Sequence, residues 1–168
     1  SSDHLRQRVA DLRGVMPQRL AIHYAMKGNP FAPVLALMNG LVDGFDVASG
    51  GELELALAAG VDAGRISFAG PGKRDRELER AISLGVTLNS ESEGEVARAL
   101  AIGAKLGIKP RLAVRVNPSF DLKGSGMKMG GGAKQFGVDA ERVPALVKRI
   151  IAAGADWRGF HIYAGSQA

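Results

Sequence analysis

The sequence predicts an α/β protein, a partial (β/α)8 barrel with about six of the eight strand-helix units, on four observations. Short apolar segments alternate with stretches of helical period, the pattern of βαβ units and a parallel sheet. A repeat of about 20 to 25 residues in the first four units suits an open doubly wound sheet or a barrel. The other two observations favour the barrel. No G-x-G-x-x-G follows the first strand, so the dinucleotide fingerprint is absent. Lys27, Asp46, Asn89 and Asn117 all fall at the C-terminal ends of strands, and in a barrel those ends converge on one face.

Each element has its own signal. The opening "SSDHLRQRVADL" is charged and amphipathic rather than an apolar signal segment. "RLAIHYAM" (19–26) is the first strand, halted after Lys27 by Gly28, Asn29 and Pro30. "GFDVA" (44–48) leads into "SGGELELALAAG", where Ser49 can cap the helix, Glu52 can complete a capping box and Gly60 ends it. "RISFAG" (65–70) is the third strand. "GVTLN" (85–89) is the fourth, and Ser92 and Glu95 in the helix after it repeat the cap spacing. "RLAVRVN" (111–117) is followed by the glycine-rich stretch 118–137, too long for a simple connection and therefore expected to be functional or disordered. "WRGFHIY" (157–163) is the sixth strand.

Composition narrows the function classes. A chain of 168 residues that is 46% apolar suits one globular domain. No apolar run approaches the ~18 residues of a membrane span, so no membrane partner and a cytoplasmic setting are expected. The absence of cysteine excludes disulfides and thiolate metal sites, and no metal is expected. The formal charge of +5 is dispersed among acids, as in "KRDRELERA", which reads as solvated helix surface rather than a nucleic-acid footprint.

Strand alternation orients the polar residues. Ala21, His23, Ala25 and Lys27 share one face of strand one, opposite the bulkier Ile22, Tyr24 and Met26. Lys27 is therefore expected to point into the barrel mouth, partly withdrawn from water. The same parity turns Arg115 inward with Ala113 and Asn117, and puts His161 and Tyr163 on one face, ahead of Gly165 and Ser166 in a turn. A lysine, an arginine, an aromatic ring and a Gly-Ser turn suit an anionic, planar ligand. A lysine beside another cation has its ammonium form disfavoured, leaving an amine able to form a Schiff base. The competing expectations are a solvated Lys27, an internal ion pair at Arg115 and a core Tyr163. Glu52 is expected to cap, and His23 and His161 to be hydrogen-bonded interior histidines.

"YAMKGNP" resembles the Y-A-x-K-A-N-P segment of the fold type III pyridoxal-phosphate decarboxylases, which act on diaminopimelate, ornithine and arginine. "GFDVASGGELELALAAG", "ISFAGPGK", "LNSESEGE" and "RVNP" are similar to further motifs of that family in the same order. The resemblance implies a TIM barrel of the alanine racemase-like type and a pyridoxal 5'-phosphate cofactor held by Lys27 as the internal aldimine. It implies that Asp46 and Arg115 lie beside the cofactor and that Ser166 binds its phosphate. It further implies a small-molecule amino-acid substrate and a homodimeric parent protein. Arg115 and Tyr163 are then expected to matter through the cofactor rather than through folding.

Two departures qualify the resemblance. The family's H-I-G-S-Q is "YAGSQ" here, so Tyr163 takes the place of a stacking histidine and cannot carry an imidazolium charge. The stretch "LKGSGMKMGGGAKQFG" departs from the diaminopimelate pattern and resembles the exosortase-associated branch. Residues 1–168 are expected to be an incomplete barrel domain without the C-terminal β-domain, inactive by itself. An amino-acid racemase of the same fold is the alternative, although Pro30 and Phe31 stand where racemases differ. A non-catalytic binding or regulatory protein that keeps the barrel is another.

Overall fold

The computed structural model describes residues 1–117 and 136–163. They fall into two units, residues 1–68 and 69–168. In the first, α1 (Ser2–Val15) precedes β1 (His23–Ala25), a 3-10 turn (Met26–Gly28), α2 (Ala32–Asn39), β2 (Gly44–Val47), α3 (Gly50–Ala58) and β3 (Ile66–Phe68). β2 lies parallel between β1 and β3, pairing Ala25 with Asp46 and Asp46 with Ser67. Met26, Leu35, Phe45, Leu53, Ile66 and Phe68 are fully buried and form the apolar filling of this unit.

The second unit holds α4 (Asp75–Leu84), β4 (Thr87–Ser90), α5 (Glu93–Leu106), β5 (Arg111–Asn117), β6 (Val138–Asp139), α6 (Val143–Ala152) and β7 (Asp156–His161). β5 pairs in parallel with β4 and β7, and its last two residues pair with β6. Leu78, Ile82, Val96 and Ile150 on the helices and Leu88, Leu112 and Val114 on the strands are buried. The α/β class is as the sequence predicts, with parallel pairing throughout both units.

Three differences have local causes. The first strand begins at His23, not Arg19, because β2 starts only at Gly44 and offers the earlier residues no ladder. Ile22 instead gives its N–H to the Asp43 carboxylate at 2.6 Å. The two-residue β6 is too short to show a period and escapes the sequence. The capping pattern holds at α3, where Ser49 Oγ accepts from Glu52 N at 3.2 Å and Glu52 accepts from Ala48 N at 2.7 Å. At α5 it is half kept. Ser92 Oγ accepts from Glu95 N at 3.1 Å, but the Glu95 carboxylate turns away to Lys73. The glycine-rich stretch 118–135 lies outside the described residues.

Candidate active site

Lys27 sits in the 3-10 turn rather than on the strand, and it is exposed. The strand stops before it, so the alternation from which an inward direction was expected does not extend to Lys27. The cause is the Gly-Asn-Pro stop acting two residues early. Met26 is buried and pins the turn, Asn29 N bonds back to Met26 O at 3.1 Å, and Tyr24 Oη donates to Asn29 O at 2.8 Å. Asn29 Oδ1 in turn accepts from Phe31 N at 3.0 Å, opening α2. The lysine is presented on a closed turn that packs on β2.

Asp46 lies on β2 beside Ala25 and Ser67. Its Oδ1 accepts a short hydrogen bond from Ser67 Oγ and lies 3.3 Å from His23 Nδ1. The His23 side chain is 37% exposed, partly covered rather than interior. Its imidazole is held above the ordinary range first by the hydrogen bond to Asp46, against the opposing effect of burial.

In the second unit Arg115 is buried on β5 and pairs with Glu91, Nη1 standing 3.3 and 3.4 Å from its two oxygens. The internal ion pair that competed with a ligand role is thus present. Glu91 also accepts from Gly70 N at 2.7 Å. The guanidinium stacks on two rings, its carbon 4.9 Å from the centroid of Phe136 and 5.5 Å from that of Tyr163. Asn117 Nδ2 donates to Phe136 O at 2.6 Å and sets that ring in place. The structure brings Arg115 and Tyr163 together, although β7 ends at His161 and Tyr163 lies two residues beyond the strand alternation that was expected to place it. Ser166 lies outside the described residues.

Lys73 escaped the sequence. It and Glu95 form a pair whose side chains are 1% and 2% exposed. Nζ donates to Gly70 O at 2.8 Å, Asn89 O at 2.9 Å and Glu95 Oε1 at 2.8 Å, which satisfies all three ammonium hydrogens. Burial pushes the Lys73 ammonium down and the Glu95 carboxyl up, each against the attraction of the other. The pair fastens the turn after β3 to the end of β4, where Glu91 meets Arg115. Glu91 itself was within reach of sequence reasoning. Asn89 pairs with Ala113, so residue 91 falls opposite residue 115 with the same parity, an acid facing a base.

The described residues contain no group of His, Asp or Glu suited to a metal ion and no helix long and apolar enough to cross a membrane. Over residues 2–168 the chain matches the family described as pyridoxal-dependent decarboxylase, pyridoxal binding domain. The chain belongs to that family. Among its relatives, the diaminopimelate decarboxylase of Vibrio cholerae is 37% identical over 87% of this chain and 36% of its own length. That of Aquifex aeolicus is 36% identical over 99% of this chain and 40% of its own length. The crystal structure of diaminopimelate decarboxylase from Helicobacter pylori complexed with L-lysine superposes with a TM-score of 0.89 at 31% identity, covering 99% of this chain and 43% of that one. This pyridoxal binding domain therefore spans about two fifths of the relatives it matches. Pyridoxal phosphate is the cofactor of the family, and each unit by itself carries residues whose chemistry fits it: the first an exposed lysine on a fixed turn, the second a guanidinium stacked with aromatic rings.

Proposed function

We propose that the protein carrying this chain decarboxylates an amino acid with pyridoxal phosphate held through Lys27, in the manner of a diaminopimelate decarboxylase. The observation that carries the reading is the placement of Lys27, an exposed residue on a turn closed by Tyr24, Met26 and Asn29 immediately after β1. A lysine amine that reaches solvent from a rigid turn can condense with an aldehyde without first breaking up a core. When bound, pyridoxal phosphate supplies the electron sink that takes up the pair left behind as the α-carboxylate departs as carbon dioxide.

The chain's own residues would bind and orient. In this proposal Asp46, fixed by Ser67 and His23, presents a carboxylate of set direction near the Lys27 turn. Arg115, its charge balanced by Glu91, provides with Tyr163 and Phe136 a flat surface suited to a ring. Tyr163 can stack as a histidine would, but its phenol offers no imidazolium, so proton delivery falls to other groups of the full protein. Ser166 takes the phosphate role. The protein is proposed to act as a homodimer in the cytoplasm on a small-molecule amino acid.

Borohydride reduction of the full protein with pyridoxal phosphate, followed by peptide mapping, is expected to put the pyridoxyl group on Lys27, and the unreduced protein is expected to release carbon dioxide from diaminopimelate. A label on Lys128 or Lys134 would overturn the assignment. Loss of optical activity from an amino acid without carbon dioxide release would favour the racemase alternative. No binding of the cofactor would favour a non-catalytic protein.

A further inference from the structure

We propose that His23 is a positioning residue for Asp46, which together with Ser67 holds the carboxylate in one orientation and sets the charge beside the Lys27 turn. The inference rests on the reading above that Asp46 contacts the cofactor. Three strands build the arrangement. β1 contributes His23, β2 contributes Asp46 and β3 contributes Ser67, with Asp46 the register partner of Ser67 and of Ala25. Oδ1 accepts from both Ser67 Oγ and His23 Nδ1.

The imidazole has a built place. Its register partner is Gly44, and a Cβ on Gly44 would come within 2.5 Å of His23 Cε1 and 2.6 Å of Nε2. The same Cβ would meet the Arg65 carbonyl oxygen at 2.6 Å, so glycine here serves both the passage of that backbone and the place of the ring beside Asp46. A carboxylate has no proton to give, so Nδ1 must carry one to make the bond, and Nε2 is the atom that gains or loses the second. With Nε2 protonated the His23–Asp46 pair is neutral. Without that proton it carries one negative charge.

The charged groups facing the imidazole are Asp46 and Asp43, which favour protonation, and Arg65 ahead of β3, which opposes it. Asp43 is in turn engaged by Arg13 from α1, so Asp46 is the carboxylate left to dominate. The balance lies on the protonated side of the ordinary value. A ligand binding beside Asp46 therefore meets a neutral pair at mildly acidic pH and an anion at alkaline pH, and an anionic phosphate ester is favoured by the first.

Two measurements on the full-length protein test this. In the apo form labelled with carbon-13 histidine, the His23 resonance, identified by its loss in His23→Gln, is expected to titrate above 6.5 and to fall towards that value in Asp46→Asn. An unchanged midpoint in Asp46→Asn would overturn the pairing. Equilibrium dialysis against pyridoxal phosphate across pH is expected to show affinity declining through the His23 midpoint. His23→Ala should bind about tenfold more weakly at low pH, the scale of one hydrogen bond to a charged group. His23→Gln, which keeps an amide donor, should bind within about threefold of the parent but without the pH step. A step that persists in His23→Gln overturns the inference even where His23→Ala fails to fold. If the parent protein retains no pyridoxal phosphate, the proposed function falls and the imidazole titration alone decides the role of His23.

Discussion

Arg115 carries a carboxylate partner and two aromatic faces, so its removal disturbs folding as well as any ligand. Taking it away leaves Glu91, 1% exposed, without its guanidinium partner, held by the Gly70 amide and the more distant charge of Lys73. Arg115→Ala is therefore expected to destabilise the apo protein by about 3 to 5 kcal/mol, against the sequence-based expectation that its loss leaves folding untouched. Arg115→Met combined with Glu91→Gln removes both charges while the glutamine carbonyl can still accept from Gly70. The double variant should recover most of the loss in urea denaturation followed by circular dichroism. Tyr163→Ala breaks no buried charge pair and should lower apo stability much less. His23 adds a dependence on pH of known sign. Its folded value is raised above 6.5, so its stabilising contribution is complete below 6.5 and is lost as pH rises through the folded midpoint. The stability gap between the parent and His23→Gln should narrow from pH 6 towards alkaline pH (about the ordinary titration range of histidine), and a gap that widens would contradict the pairing.

Among the elements, α5 shows local propensity yielding to packing. Gly103 lies in its last turns, where alanine would be the better helix former by about 1 kcal/mol. A Cβ there would meet Ile108 O at 2.7 Å and Pro110 Cδ at 2.8 Å, and neither a backbone carbonyl nor a proline ring yields readily. Gly103→Ala is expected to lower thermal stability, with a cost of about 1 to 3 kcal/mol as for other overpacked sites. The same contrast explains how much of the molecule was legible. β5 was readable over its whole length because Leu112 and Val114 alternate with Arg115 and Asn117. β1 was not, since Arg19 to Ile22 look like strand until one knows that β2 begins at Gly44. Ser49 and Glu52 completed a local pattern, whereas Glu95 has the same spacing but is claimed by Lys73, twenty-two positions away in sequence. Lys27 was found through its motif, and its exposure on a turn follows from where the ladder stops, which no alternation rule encodes. The inward turn of Arg115 could be read from parity, but Tyr163 lies beyond the end of β7, where alternation no longer applies. The two rings around the guanidinium needed the return of Phe136 to the end of β5.

For the molecule as a whole, β7 matters most to solution behaviour. It pairs with β5, and among the described residues no strand pairs with its other edge. Phe160 and Ile162 are 61% and 62% exposed. A free edge bordered by apolar side chains recruits other chains. The isolated 168-residue chain is expected to self-associate on size-exclusion chromatography with light scattering, and Phe160→Ser with Ile162→Lys should shift it towards monomer. A parent chain that stays monomeric on concentration would show the edge to be protected.

Asn117 and Phe136 are tied to each other by a hydrogen bond, and Gly137 follows at a φ of 78° with Asn117 Oδ1 only 2.7 Å from where a Cβ would stand. The two ends of the glycine-rich stretch are thus buckled together independently of what lies between them. A side chain at Gly137 would have to displace Asn117 Oδ1 and adopt a left-handed backbone, so one substitution at this flank would undo the clasp and release the Phe136 ring from Arg115.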